Sequence, residues 1–420
     1  MNLVKNMAVL GILLSTAVAG AQQAKPATLT IHQAEELFFK NNFLLLAQQY
    51  NIDKAGAQVV QAKLYPNPEI SADIIGYQGQ DNVYFPSGQK NNLAAGLEQL
   101  ILLGGKRKAQ IALAKLYKQK AEADFTDLSR NLQLQIWQSF FTLHNQQKII
   151  EKYDRMLEKL DNLISGYEIQ VAKNNVALKD LVRLKSVYVK ISNDKSEESA
   201  AMTQEQQKLN TLLGISEPVQ TVYTADDAGK FGSALISYED LLQESIANRP
   251  DYKGAQLGAE AAKVNLSLQK RQAIPDVTFR MGYNQKGDAF NNQYNVGLGI
   301  PLPLFDRNQG NIQAAKIEKE QQEKGIAYKE LEIKNEALAA YQDYTRSVDE
   351  YRRISRMVNQ DFDTVFSGIN TNFRKGNVSM IEFADFFEAY NEAQTEMERV
   401  KKQLALAAAE INFVTATNNF

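Results

Sequence analysis

Cysteine is missing from all 420 residues, and histidine occurs only twice, as His32 and His144. The first absence excludes a disulfide framework, a thiol nucleophile and thiolate metal ligation; the second leaves too few imidazoles for a multi-histidine metal centre in one chain. Proline and glycine are sparse at 9 and 23, so the chain is not collagen-like, and 44% apolar content sets it apart from disordered sequences. An excess of one charge is lacking too. Lys+Arg 47 against Asp+Glu 49 leaves a formal charge of -2, with no electrostatic footprint for nucleic acid. Beyond residue 22 no apolar run approaches the 18 residues of a spanning helix, so no later helix is expected to cross a bilayer. The sequence offers no paired carboxylates, no nucleophile with a base and no metal-ligand cluster, so no enzyme activity, catalytic residue, metal or cofactor is expected.

What is present begins with an address. Residues 1–5 read MNLVK, an apolar stretch covers 7–18, and Ala19-Gly20-Ala21 supplies a small-x-small end. This pattern predicts a secretory signal peptide over 1–21, cleaved after Ala21. With no cysteine behind it, lipid attachment at a mature N-terminal thiol is excluded. The mature chain is therefore either soluble outside the cytoplasm or crosses a membrane as strands.

The apolar periodicity then shows one plan twice. A first repeat over 28–213 opens with a helical pattern from 29 to 61, stopped by Tyr65-Pro66-Asn67-Pro68. Period-two segments follow at about 69–77 and 91–101, around a polar loop containing Asp81, Ser87 and Gly88. Helical spacing returns from Lys106, breaks at a tip near 173–177, and runs on to Leu213. A linker over 214–234 leads to a second repeat at 235–416. It has helices around Asn248-Arg249-Pro250-Asp251, strands at about 276–284 and 293–302, a helical tract from 306 to 373, and a tip near 374–378. Sliding the chain on itself by 202 residues lays 165–181 on 367–383. Ser165/Ser367, Gly166/Gly368, Lys173/Lys375, Asn175/Asn377 and Val176/Val378 are then identical, where average composition gives about one match in such a window.

The strands decide the class. Val277, Phe279, Met281 and Tyr283 alternate with Thr278, Arg280, Gly282 and Asn284; Tyr294, Val296, Leu298 and Ile300 alternate with Asn295, Gly297, Gly299 and Pro301. Such segments fit membrane-spanning strands with one face to lipid and one to water; the rival is a soluble sandwich with its apolar side inward. Four strands cannot close a barrel, and open edges are not tolerated in lipid, so several chains must share one. Two would give eight strands and a filled interior; three would give twelve and a pore. The tract 306–373, if continuous helix, is a rod of roughly 100 Å, which no compact domain buries. Gly104 and Gly105, and in the second half Pro301 and Pro303, mark the strand-to-helix junctions, with Asp306 or Asn308 capping the following helix.

Glu98-Gln99-Leu100 before Leu103-Gly104-Gly105-Lys106-Arg107, the Asn248-Arg249-Pro250-Asp251 segment, and Pro301-Leu302-Pro303-Leu304-Phe305-Asp306-Arg307-Asn308-Gln309-Gly310-Asn311 together resemble the TolC-like outer membrane factors. Within them the resemblance is to the outer component of cobalt-zinc-cadmium type efflux systems of the resistance-nodulation-division class. It covers about residues 28–416. One departure is Leu100, where the first repeat of such proteins often has proline.

The resemblance implies a mainly α protein with β, a homotrimer whose shared 12-stranded β-barrel sits in the outer membrane of a Gram-negative bacterium and continues as an α-helical barrel through the periplasm. It also implies a periplasmic adaptor and an inner-membrane pump as partners, and a passive conduit for metal cations or drugs. On this reading Gly166, Lys173, Asn175 and Val176, with Gly368, Lys375, Asn377 and Val378, form the tip that docks the adaptor, the two glycines permitting close helix approach. Asp180, Glu382 and Asp385 either ring a cation-favouring aperture or lie on a solvated helix face. His32 and His144 read as hydrogen-bonded structural residues, Trp137 with Phe140 and Phe141 as helix packing, and Asp194 to Glu198 as an exposed acidic run. A secreted coiled-coil structural protein and a periplasmic adaptor are the rival classes. The first leaves the alternating strands unused, and the second has one hairpin per chain rather than two.

Overall fold

A computed structural model describes residues 27–80, 82–86, 92–223, 231–232, 237–286, 290–358 and 360–420. The expected signal peptide, the loop residues Asp81, Ser87, Gly88, Gly287 and Asp288, the first residue of the strand at 91–101 and much of the linker 214–234 lie outside the described residues.

The chain opens with a short strand β1 (Ala27–Leu29) and two helices, α1 (Ile31–Asn41) and α2 (Phe43–Ala62). Thr30 starts α1 through a capping box with Gln33. Asn42 then divides what the periodicity presents as one helix. Its backbone is extended (φ -68°, ψ 114°), its Oδ1 accepts from Leu45 N–H at 3.0 Å to cap α2, and its Nδ2 donates to Leu212 O at 2.9 Å. Strands β2 (Glu69–Asp73), β3 (Tyr77–Gln78), β4 (Val83–Tyr84) and β5 (Ala94–Ile101) precede α3 (Lys106–Ala172). Its 67 residues make a rod of roughly 100 Å. Helix α4 (Leu178–Leu213) returns along it to β6 (Val219–Thr221).

The second half runs α5 (Tyr238–Asn248), α6 (Pro250–Gln272), β7 (Val277–Lys286), β8 (Asn291–Gly299), α7 (Gln309–Met357), α8 (Gln360–Arg374) and α9 (Met380–Thr415). Pro250 stands at the first position of α6, where no N–H is needed. Four strands form one antiparallel sheet in the order β2-β5-β7-β8, and β3 and β4 form a two-residue ladder of their own.

Several boundaries differ from the sequence expectation. The strand expected at 69–77 ends at Asp73, opposite Ala94, and the following residues pair among themselves, Tyr77 with Tyr84. The strand expected at 276–284 continues to Lys286, which pairs with Asn291, and the one at 293–302 ends at Gly299 because Pro301 and Pro303 bring no N–H to a ladder. The tract 306–373 starts at Gln309 and divides at Val358, whose ψ of 68° leaves the helical region. Neither Asp306 nor Asn308 caps α7: Asp306 accepts from Asn308 N–H at 2.9 Å, and Asn308, at φ 58°, donates its Nδ2 to Gln269 O at 2.8 Å. A parallel pairing of β1 with β6, inside the expected linker, ties the first described residues to the end of the first hairpin.

Two apolar cores stabilise the rods. One, around Phe38, Ile136, Phe140, Leu143, Leu209 and Leu404, joins α1, α3, α4 and α9 at mid-length. The other, around Leu160, Leu184, Phe373, Phe383 and Phe387, runs toward the hairpin turns. In it Phe373 lies between Phe383 at 4.1 Å and Tyr167 at 5.5 Å, both in stacked orientation.

Candidate functional site

The sheet sorts its side chains into two opposed faces. Strand register places Ile70, Leu97, Met281 and Val296 in one row across all four strands, with Gln99, Phe279 and Leu298 in a neighbouring row on that face. The opposite face carries Ser71, Gly96, Gly282 and Asn295 in one row, and Glu69, Glu98, Arg280 and Gly297 in the next. Arg280 Nε and Glu98 Oε1 meet there at 3.0 Å. A soluble sandwich would cover the apolar rows, yet Ile70 is 80% and Val296 70% exposed. A patch of that kind needs lipid or protein against it. Among the described residues the outer strands β2 and β8 each have a neighbour on one side only.

The junctions below the sheet differ in construction. Gly104 and Gly105 take φ 65° and 70°, a conformation that β-carbons disfavour, and a Cβ on Gly104 would stand 2.7 Å from Ile274 Cδ1. The turn is held by residues of the second half: Arg271 Nη1 donates to Gly104 O at 2.6 Å, Leu103 N–H donates to Asp276 Oδ1 at 2.9 Å, and the buried Lys106 ammonium meets the same oxygen at 2.8 Å. At the second junction Pro301 and Pro303 lie in an open segment that leaves Leu302, Leu304 and Phe305 exposed, Phe305 at 91%. Among the described residues no helix is long and apolar enough to cross a membrane.

At the far end the two hairpin turns share one hydrogen-bond design. Asn175 N–H donates to Gln170 O at 2.9 Å, and Asn377 N–H donates to Asn372 O at 2.9 Å. The residue before each asparagine is left-handed, Asn174 at φ 57° and Gly376 at φ 79°. Lys173 and Lys375 close the incoming helices, and Val176 and Val378 each lie two residues before the outgoing ones at Leu178 and Met380. Gly166 and Gly368 do not bring helices together within the chain: a Cβ on either would meet nothing within 4 Å.

The three acidic candidates separate. Glu382 completes a capping box, its carboxylate accepting from Ser379 N–H at 2.9 Å, and that backbone hydrogen bond lowers its pKa. Asp385 pairs with Arg183 at 2.9 Å, joining α4 to α9. Asp180 lies in the first turn of α4, where a carboxylate suits the helix dipole. Arg183 and Ser379 escaped the sequence reading; the serine three residues before Glu382 was the available signal.

At mid-length Arg249 is 3% exposed. Its guanidinium donates to both carboxylate oxygens of Asp251, at 3.0 and 2.7 Å, and to Glu336. Burial raises the Asp251 pKa, but the Arg249 hydrogen bonds outweigh it and, with Arg130 and Lys329 each 3.6 Å away, hold it at about 2. The Asn248–Asp251 segment is thus a buried charge anchor at the break between α5 and α6. His144 is a packing residue, its Nδ1 3.2 Å from Thr221 O; burial lowers its pKa. Trp137 donates to Glu35 Oε1 at 2.6 Å while its ring meets Phe141 edge-on. Among the described residues no group of three His, Asp or Glu is placed to hold a metal ion.

An amphipathic four-stranded sheet with two edges unpaired among the described residues, continued by long paired helices, is a TolC-like fold. Two solved structures share that fold. CusC, described for transmembrane channel formation, superposes with a TM-score of 0.75 at 17% identity, covering 92% of this chain and 91% of its own. The outer membrane protein VceC of Vibrio cholerae gives 0.72 at 16% identity, covering 92% and 96%. Residues 241–417 match the family model of the outer membrane efflux proteins. The cobalt-zinc-cadmium resistance protein CzcC of Cupriavidus metallidurans is 22% identical over 386 residues, 91% of this chain and 89% of its own length. The nickel-cobalt-cadmium resistance protein NccC of Alcaligenes xylosoxydans is 24% identical, over 72% of this chain and 67% of its own.

Proposed function

We propose that three copies of the chain close one 12-stranded barrel and one helical barrel, forming the exit duct of a tripartite pump that exports metal cations. The single observation carrying the trimer is the row Ile70, Leu97, Met281, Val296: it crosses the whole sheet and ends at two unpaired edges. Edges in lipid leave N–H and C=O groups unmet at several kcal/mol each, so the edge of one copy must find that of the next. Four strands per copy make three copies the smallest set with an aqueous lumen. The inner wall is the polar face with Ser71, Asn295 and the glycines; Glu98 and Arg280 neutralise each other on it.

The chain performs positioning rather than chemistry. The mid-length anchor at Arg249 and the junction at Gly104 hold the rods in line with the strands. The twin hairpin turns at Lys173–Val176 and Lys375–Val378 offer an adaptor two similar knobs per copy, six per trimer, and Gly166 and Gly368 leave open strips beside them for an adaptor helix to approach closely. The metal assignment rests on the names of CzcC and NccC, and the energy for transport belongs to the inner-membrane pump. Deleting the gene in a metal-resistant host tests this reading. Lower tolerance to cobalt, zinc or cadmium, restored by the intact gene, supports it; unchanged tolerance to all three removes the metal assignment.

A further inference from the structure

We infer that the cavity beside His144, between α3 and α9, is a binding site for a small organic carboxylate. It encloses about 310 Å3, and Phe141 and Tyr351 give it aromatic wall. Lys148, Lys401 and Lys402 bring three cations to the same lining, with Glu398 as the carboxylate among the described lining residues. That carboxylate is already engaged twice, by Lys152 at 3.0 Å and Lys401 at 3.0 Å. Among the described residues Lys148 reaches only the exposed Glu151, at 3.1 Å, and Lys402 has no carboxylate within ion-pair distance. The positive charge of the cavity is therefore not matched by the side chains around it.

An anionic oxygen is the acceptor that serves these lysines together. A cation would be repelled, and a neutral apolar guest would leave them unmet. Inorganic phosphate would satisfy the charge but leave most of the volume and the aromatic wall unused. Lys148 and Lys401 also add to the lowering of the His144 pKa, so their charge is felt inside.

The test is a calorimetric titration of the purified, detergent-solubilised full chain with benzoate, repeated with inorganic phosphate. Saturable benzoate binding, tighter than phosphate and weakened at least about tenfold by Lys402→Gln and by Lys148→Gln, is the expected result. Lys148 is exposed and Lys402 half-buried, and unchanged melting temperatures would show the fold intact. Absence of saturable binding, as from a cavity holding only water, overturns the proposal. So does binding that both variants retain, or phosphate binding more tightly than benzoate.

Discussion

Arg183 and Asp385 form an ion pair at 2.9 Å between α4 and α9, and the 202-residue offset between the two tips makes them equivalent positions. The pair thus joins the outgoing helix of one hairpin to that of the other, two turns behind the tips. Both side chains are exposed, so it contributes at most about 1 kcal/mol to folding. Its effect is expected on the width of the tip instead. Asp385→Ala is expected to leave the melting temperature nearly unchanged and to raise single-channel conductance in planar bilayers. The double exchange Arg183→Asp with Asp385→Arg should restore it; equal conductance in all three forms would remove the pair from the tip's mechanics.

The first strand-to-helix junction should not accept a side chain. Gly104→Ala places a Cβ in a left-handed backbone and 2.7 Å from Ile274 Cδ1, which costs about 1–2 kcal/mol for the backbone alone. Pro303→Ala, in the open second junction, is expected to change stability by less. Thermal unfolding of the two variants side by side measures the difference.

Lipid contact predicts opposite outcomes for neighbouring residues of one strand. Val296→Lys puts a charge on the apolar face and is expected to lower stability in bilayers by about 2–4 kcal/mol if it lies near the midplane. Asn295→Lys, on the polar face, should be tolerated in folding and shift ion selectivity toward anions. Equal tolerance of both would contradict the assignment of faces.

Acid should weaken the mid-length anchor. Asp251 is held at about 2 against an ordinary value of 3.8. Its contribution is complete above about pH 4 and is lost as pH falls toward about 2; the displacement is worth about 2 kcal/mol. Asp251→Asn should lose at least that at neutral pH and show a flatter stability profile across the acid window. Glu410 behaves oppositely: burial and Glu336 raise its pKa, so its ionised form opposes folding at neutral pH. Glu410→Gln is expected to raise the melting temperature at pH 7.

Much of this organisation was legible in the sequence because it is local. Alternation along Val277–Tyr283 announces a two-faced strand, Gly104-Gly105 announces a turn, and the shared Lys-x-Asn-Val announces the tips. What escaped depends on residues far apart in the chain. The β1–β6 pairing joins residues 27–29 to 219–221, and three residues on each side carry no periodic signal. Asn42 lies inside the helical pattern of 29 to 61, and its contact with Leu212 exists only in the folded chain. Glu382 and Asp385 looked like free charges because a capping serine and a cross-hairpin arginine only become their partners in the folded chain. The break at Val358 has no proline or glycine to mark it.

Closure of the sheet by neighbouring copies is the centre of the whole reading, and the absence of native cysteine makes it directly measurable. Ser71→Cys on β2 is combined in turn with Gln293→Cys, Asn295→Cys or Gly297→Cys on β8, all on the polar face. Two strands separate β2 from β8 within one chain, a gap of roughly 14 Å that a disulfide cannot span. After oxidation in native outer membranes, one of the three combinations should run on a non-reducing gel as dimer and trimer and nothing larger. Uniformly monomeric chains, or a ladder extending past three, would contradict a shared barrel of three copies.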